Sequence, residues 1–199
     1  MKEFWDARYN EETFAYGINP NEFFKENIDK LPVGNILLPA EGEGRNAVYA
    51  ARKGWQVTAF DFSVSAKIKA MKLAEEHGVS IDFKVLDAAN FQPEANIKYD
   101  VVGLFYAHIP AELRLEFHQK IVQIVKNSGY VIFEAFHKNQ LNYLSGGPKD
   151  AKMLFSKEEL EQEFAGLKFL SIEDKVINLD EGLYHQGQGY VLRMIATKA

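Results

Sequence analysis

The sequence predicts a single α/β domain built on a seven-stranded, doubly wound sheet, mostly parallel, with an antiparallel last strand. Three observations lead there. From residue 35 to about residue 164, short apolar runs alternate with segments of helical spacing, the rhythm of strands joined by crossover helices. A glycine-rich turn, Glu41-Gly42-Glu43-Gly44, separates the first run from the helix after it, where an open α/β sheet carries its ligand. Two apolar segments, 167–177 and 189–197, then follow each other with no helix between them and read as an antiparallel hairpin.

Taken in order, Asn19-Pro20-Asn21-Glu22 reads as a helix start, with Asn19 as cap, Pro20 in the first position and Glu22 reaching back. Phe24, Ile28 and Leu31 share one face, and Pro32 ends the helix. Residues 36–39 form a strand that runs into the glycine turn, and Arg45 to Lys53 a helix of small residues closed by Gly54. Residues 56–60 are strand-like. Val64, Ile68 and Met71 then recur at helical spacing between Ser63 and Glu76, closed by Gly78, before a strand at 81–85. Residues 101–105 and 130–133 are strands around a helix opened by Pro110, with Leu113, Phe117, Ile121 and Ile124 on one stripe. A loop at Gly146-Gly147-Pro148 precedes a capping box, Ser156 with Glu159, and a short helix through Phe164. One domain spans 1–199: an N-terminal helical segment at 1–31 and a core at 35–199.

Composition excludes several classes. The formal charge is −5, and the sequence has no basic patch of the kind that binds nucleic acid. No apolar run reaches the roughly 20 residues of a membrane span, and the polar, acidic start, Met1-Lys2-Glu3-Phe4-Trp5-Asp6, is unlike a signal peptide. There are no cysteines, hence no disulfides, thiolate metal sites or cysteine nucleophiles. These features fit a cytoplasmic protein with a small-molecule partner rather than nucleic acid or membrane. They say nothing of oligomeric state.

The glycine turn admits two cofactors. Gly42-x-Gly44-x-x-Ala47 fits a dinucleotide fingerprint, with Asp61 near the ribose-binding distance. A pyrophosphate there, however, would meet Glu41 and Glu43, and like charges about 5 Å apart cost roughly 3 kcal/mol at an effective dielectric near 20. S-adenosylmethionine (SAM) brings a sulfonium and an ammonium instead, so acidic residues favour it, and 199 residues leave little room for a dehydrogenase's second domain. Asp61 closes the second strand, placed to accept from ribose hydroxyls; Asp87 closes the third, placed to accept from an adenine amino group.

Residues 35–63, NILLPAEGEGRNAVYAARKGWQVTAFDFS, resemble the signature of class I SAM-dependent methyltransferases, a Rossmann-like family, and in particular its bacterial branch near the tellurite-resistance and thiopurine methyltransferases. Trp5-Asp6-x-Arg8-Tyr9 with Tyr16-Gly17 is similar to that branch's N-terminal segment, Phe105 to Pro110 to its fourth-strand motif, and Gly146-Gly147-Pro148 to its loop after the fifth strand. The resemblance implies methyl transfer from SAM, yielding S-adenosylhomocysteine (SAH). It implies a cofactor site made by Glu41, Gly42, Gly44, Arg45, Asn46, Asp61, Phe62, Asp87, Ala88, Ala89 and Phe105, under a lid carrying Tyr9, Tyr16 and Gly17. Family members usually carry an aspartate four residues before the first paired glycine. Leu38 stands there, and Glu41 is expected to supply the missing charge. A small NAD-binding oxidoreductase and a non-catalytic SAM-binding protein are the alternatives.

In-line methyl transfer needs alignment above all, and a base only when the acceptor must lose a proton. Candidates for the acceptor pocket are His108 after the fourth strand, His137, Gln140 and Tyr143 after the fifth, and His185 in the late hairpin turn. His118, mid-helix, is expected at the surface. The histidines have no metal-ligand spacing, and no metal is expected. Trp5, Tyr9, Phe14 and Tyr16 make the first sixteen residues too aromatic for a free tail, so they are expected to pack on the core or cover the cofactor.

Overall fold

The computed structural model describes residues 2–199. Helices α1 (Lys2–Tyr9) and α2 (Glu22–Ile28) precede β1 (Asn35–Pro39). The alternating series continues with α3 (Arg45–Arg52), β2 (Gln56–Asp61), α4 (Val64–Glu76), β3 (Asp82–Val85), β4 (Tyr99–Phe105), α5 (Ala111–Ile124), β5 (Val125–Phe136) and α6 (Lys157–Glu163). It ends in the hairpin β6 (Lys168–Glu181) and β7 (His185–Thr197). The strand order is β3-β2-β1-β4-β5-β7-β6. The first five strands are parallel, whereas β7 inserts antiparallel between β5 and β6, pairing Tyr130 with Thr197 through to Phe136 with Val191. This is the predicted seven-stranded doubly wound sheet. No helix of the described residues is long and apolar enough to cross a membrane.

Successive residues of a strand face opposite sides of the sheet, which gives two cores. Leu37, Val102, Leu104 and Phe133 face Phe117 and Ile121 of α5 and Leu160 of α6; Ile36, Leu38, Val101 and Ile132 face Ala47 and Ala50 of α3 and Phe24 of α2. Chain order reverses between β1 and β4, so the crevice at their carboxyl ends is the place for a ligand. Strain collects there. Ala40 after β1 and Tyr106 after β4 are both held at φ 50°, a left-handed conformation costly for residues with a Cβ and typical of functional turns.

Three local expectations are corrected. The cap of α2 is Asn21, not Asn19: its Oδ1 accepts from Phe24 N at 2.9 Å, which shifts the helix start past Pro20. The α4 stripe of Val64, Ile68 and Met71 is exposed, at 51%, 64% and 40%. That helix packs through Ala66, Ala70, Leu73 and Ala74, because small side chains let it approach α3, where a Cβ on Gly44 would lie 2.6 Å from the Cβ of Ala70. His118 is buried, its Nδ1 2.8 Å from Glu163 Oε2, and Glu163 also pairs with buried Arg114 at 3.0 Å. A charged partner on α6 takes the histidine out of solvent, and nothing on its own helix announced it.

Candidate active site

Three adjoining cavities occupy the carboxyl edge of the sheet. A groove of about 160 Å³ lies between Phe60, Leu86, Ile109 and Leu113, with Asp61 and Asp87 at its rim and Phe62, Ala88 and Ala89 along it. A narrow cavity of about 50 Å³ runs from the glycine turn to His185 beneath the N-terminal segment, lined by Glu41, Gly42, Arg45, Asn46, Phe105, Tyr9, Tyr16 and Gly17. A third, of about 330 Å³, opens between α1 and the Gly146-Gly147-Pro148 loop. His108 lines all three, which makes it their junction.

The acidic residues of the turn have different partners. Glu43 is buried: Oε1 meets Lys69 Nζ at 2.7 Å and Oε2 accepts from Ala15 N at 2.8 Å, so it ties the N-terminal segment to the core. Asp61 accepts from Gly42 N at 3.0 Å and Ser63 N at 2.9 Å, which fixes the turn against β2, and burial pushes its carboxyl up to about 6. Glu41 turns its Oε1 onto the start of α3, accepting from Asn46 N and Ala47 N, each at 2.8 Å. Burial pushes Glu41 up to about 7, against the pull of those N–H groups and of Arg45. The side-chain amide of Asn46 also pulls on this carboxylate.

That arrangement suits one of the two cofactors better than the other. A dinucleotide rests its pyrophosphate on the free N–H groups at this helix start. Here a carboxylate of the chain's own already holds them, so a phosphate would meet both lost donors and like charge. A ligand with a cationic end would meet an acid there instead. Leu38, where the resemblance implies an acid, is fully buried among Val101, Phe105 and Ile132, and its position offers nothing to a ligand.

The N-terminal segment forms the roof. Trp5 stacks on His108 with ring centroids 5.8 Å apart, and on Tyr9 at 5.4 Å; the Tyr9 hydroxyl sits over Gly42, 2.9 Å from where a Cβ would be. Burial and the neighbouring carboxylates Asp61 and Glu43 hold the Tyr9 phenol well above its ordinary range. Arg8 lies over the rings of Tyr184, at 3.9 Å, and Phe4, at 4.5 Å, and donates to the Tyr16 hydroxyl at 3.1 Å. Among the described residues it makes no ion pair. Covering and packing are therefore combined in one segment.

The two histidines that line these cavities differ. His108 is pushed down to about 3, chiefly by burial, with smaller contributions from the neighbouring His185 and Arg8, and no carboxylate touches it. His185 is buried against Tyr16 and Tyr106, with ring centroids 4.4 and 4.6 Å away, and its Nδ1 lies 3.1 Å from Glu181 Oε2. Burial lowers its pKa more than Glu181 raises it, so the ring is neutral at pH 7. With Nδ1–H given to Glu181, Nε2 is the basic atom. Gly146 closes over this ring: a Cβ there would lie 2.9 Å from His185 Cδ2, so only glycine fits.

Of the remaining predicted residues, Gly44 touches none of the cavities; its contact is with α4. His137 caps a short turn by accepting from Asn139 N at 3.0 Å and packs on Tyr190, away from the cavities. Tyr143 likewise lies against Tyr190. Gln140 is buried and acts on the loop, its Nε2 donating to Ser145 Oγ and Gly146 O, each at 3.0 Å. The sequence reading missed Glu181 and Arg8. Glu181 sits four residues before His185, a spacing legible only once 181–185 is known to be a tight turn.

Residues 36–129 match the family model of a methyltransferase domain. No curated protein matches the sequence. Among solved structures, one determined for the conversion of a disulfide bond into a thioacetal group during echinomycin biosynthesis aligns with 100% of this chain and 91% of its own, at 18% identity and a TM-score of 0.79. TehB from Haemophilus influenzae aligns with 100% of this chain and 67% of its own, at 17% identity and a TM-score of 0.70. The N-methyltransferase NodS from Bradyrhizobium japonicum WM9, in complex with S-adenosyl-L-homocysteine, aligns over 99% and 97%, at 14% identity and a TM-score of 0.67.

Proposed function

We propose that the chain is a class I SAM-dependent methyltransferase that methylates a small organic molecule through a protic nucleophile, with His185 as the base. The observation that carries this is the buried Glu181–His185 pair, which presents a neutral imidazole at the cavity wall. A reaction on a ready-made anion would need no such pair.

The groove between Phe60 and Leu113 suits the adenosine, with Asp61 and Asp87 accepting from its hydroxyls and amino group. Glu41 Oε2 is assigned to the ammonium of the methionine end, the charge that Leu38 does not supply. When bound, SAM supplies a methyl group activated by a positive sulfur. The acceptor is assigned to the aromatic cavity between α1 and the Gly146 loop, whose 330 Å³ admits a small molecule and where Arg8 offers a cation for an acidic substituent, with its reacting atom reaching past Tyr16 and His108, which line both cavities, to His185 in the wall of the narrow one. With the cofactor bound, the acceptor's nucleophilic atom would take the methyl carbon, and the carbon–sulfur electron pair would stay on sulfur. Its proton passes to His185 Nε2, and Glu181 stabilises the imidazolium until solvent takes the proton. Trp5 and His108 wall the junction and keep water from the methyl group.

The test is SAH release from SAM with small thiols, phenols and amines, with and without a carboxylate. His185→Asn should lower kcat by about 100-fold or more while leaving SAH affinity within about threefold. Undiminished turnover in His185→Asn, with no acid limb in the wild-type rate, overturns the role of base.

A further inference from the structure

Arg45 is the first residue of α3, directly after the glycine turn, yet its guanidinium points away from the turn toward the β6–β7 hairpin. Nη1 lies 3.1 Å from Glu181 Oε1 and Nη2 3.2 Å from Oε2, a two-point pairing, and Nη1 also donates to the Tyr16 carbonyl at 3.3 Å. The same carboxylate takes the Nδ1 of His185 at 3.1 Å and the Nδ2 of Asn21 at 3.2 Å. Both side chains of the ion pair are buried, with relative exposures of 10% and 15%. One carboxylate from the end of the chain is thus held by a cation from the cofactor loop and an amide from the start of α2.

We propose that Arg45 is a positioning residue for methyl transfer, fixing Glu181 by two-point contact so that His185 keeps its Nδ1–H inward and its Nε2 free toward the acceptor. The inference rests on the reading of His185 as base. An arginine suits this because its planar fork meets both carboxylate oxygens at once, whereas lysine offers a point charge. Its charge also matters. Without Arg45, the uncompensated Glu181 carboxylate would pull His185 up toward its protonated form. Against burial, the hydrogen bond from His185 and the Arg45 cation together hold Glu181 down to about 2, and Arg45 works with burial to lower His185. The other groups facing His185 are Arg8, which adds to that positive surrounding, the uncharged His108, and the phenols of Tyr16 and Tyr106, both raised by burial and uncharged. Arg45 therefore ties the state of the base to the loop that carries the cofactor.

The experiment is a nitrogen-15 NMR titration of the His185 ring in wild type, Arg45→Gln and Arg45→Lys, without cofactor, beside pH profiles of kcat/KM. In Arg45→Gln the His185 titration and the acid limb of the rate should both move up by about one pH unit or more, with a fall of about tenfold or more at pH 7. Arg45→Lys should recover most of the titration shift but little of the rate, because charge returns without two-point contact. An unmoved His185 titration in Arg45→Gln, with activity lowered equally at every pH, overturns the proposal and leaves Arg45 a structural residue. If Arg45→Gln does not fold, Arg45→Lys decides: full activity with an unmoved titration overturns the proposal. The titration reads the coupling whether or not His185 is the base, so failure of the coupling and failure of the base, seen in His185→Asn, are distinguishable.

Discussion

Glu41→Gln separates a buried titrating acid from a mere helix cap. The amide keeps the acceptor for Asn46 N and Ala47 N, the same length and nearly the same volume, so only the charge changes. In the folded protein the carboxyl is pushed up from 4.5 to about 7. Below pH 4.5 the folded and unfolded chains both hold the proton. Between 4.5 and 7 only the folded chain holds it, so wild-type stability falls as pH rises, and above 7 the penalty is complete. At about 1.4 kcal/mol for each tenfold the limit is about 3 kcal/mol, and the side chain's partial exposure to the cavity reduces this to about 2. Asp61 titrates in both proteins and cancels. Urea unfolding without cofactor at pH 5, 6, 7 and 8 should show Glu41→Gln gaining about 2 kcal/mol on wild type between the ends of the series. In SAH calorimetry the order reverses: the variant should bind about tenfold more weakly at pH 8 and like wild type at pH 5, where both side chains are neutral. A stability difference flat with pH would refute the burial of the charge, and equal SAH affinity at pH 8 would refute its role at the ammonium.

Leu38→Asp, which restores the acid at the position typical of the family, should cost about 3 kcal/mol or more in urea unfolding and should not improve SAH binding, since that side chain lies among Val101, Phe105 and Ile132; tighter binding would contradict its placement. Glu163→Ala should cost about 3 kcal/mol, because buried Arg114 keeps its hydrogen bond to the Leu154 carbonyl but has Glu159, 3.6 Å away, as its one remaining ion-pair partner among the described residues, and a loss under about 1 kcal/mol would show that the Arg114–Glu163–His118 group is dispensable. Removal of residues 1–11 takes away Trp5 and Tyr9 but spares the bond from Ala15 N to Glu43. The truncated chain should still unfold cooperatively while SAH affinity drops by about tenfold, and unchanged affinity would reduce α1 to packing alone.

The alternation of apolar runs with helical spacing was enough to determine the doubly wound sheet, since strand period, helix period and glycine turns are local properties of the chain. The hairpin that makes β7 antiparallel was legible for the same reason, as were the glycine turn and the two strand-end aspartates. Pairings between distant segments were not. His118 looked like a surface residue because the carboxylate that draws it inside is Glu163, on another helix. The exposed stripe of α4 looked like its buried face because apolar spacing marks a face without saying whether alanines on the other side pack closer. Glu41 could be suspected as the replacement acid, but only the turn at Ala40 shows its carboxylate on the N–H groups a pyrophosphate would need. Among the five acceptor-side candidates the sequence had no means of choosing. Placing His185 beside Glu181 and Arg45, and His137 and Tyr143 against Tyr190, depends on where β7 inserts in the sheet, a contact set by burial across the whole chain.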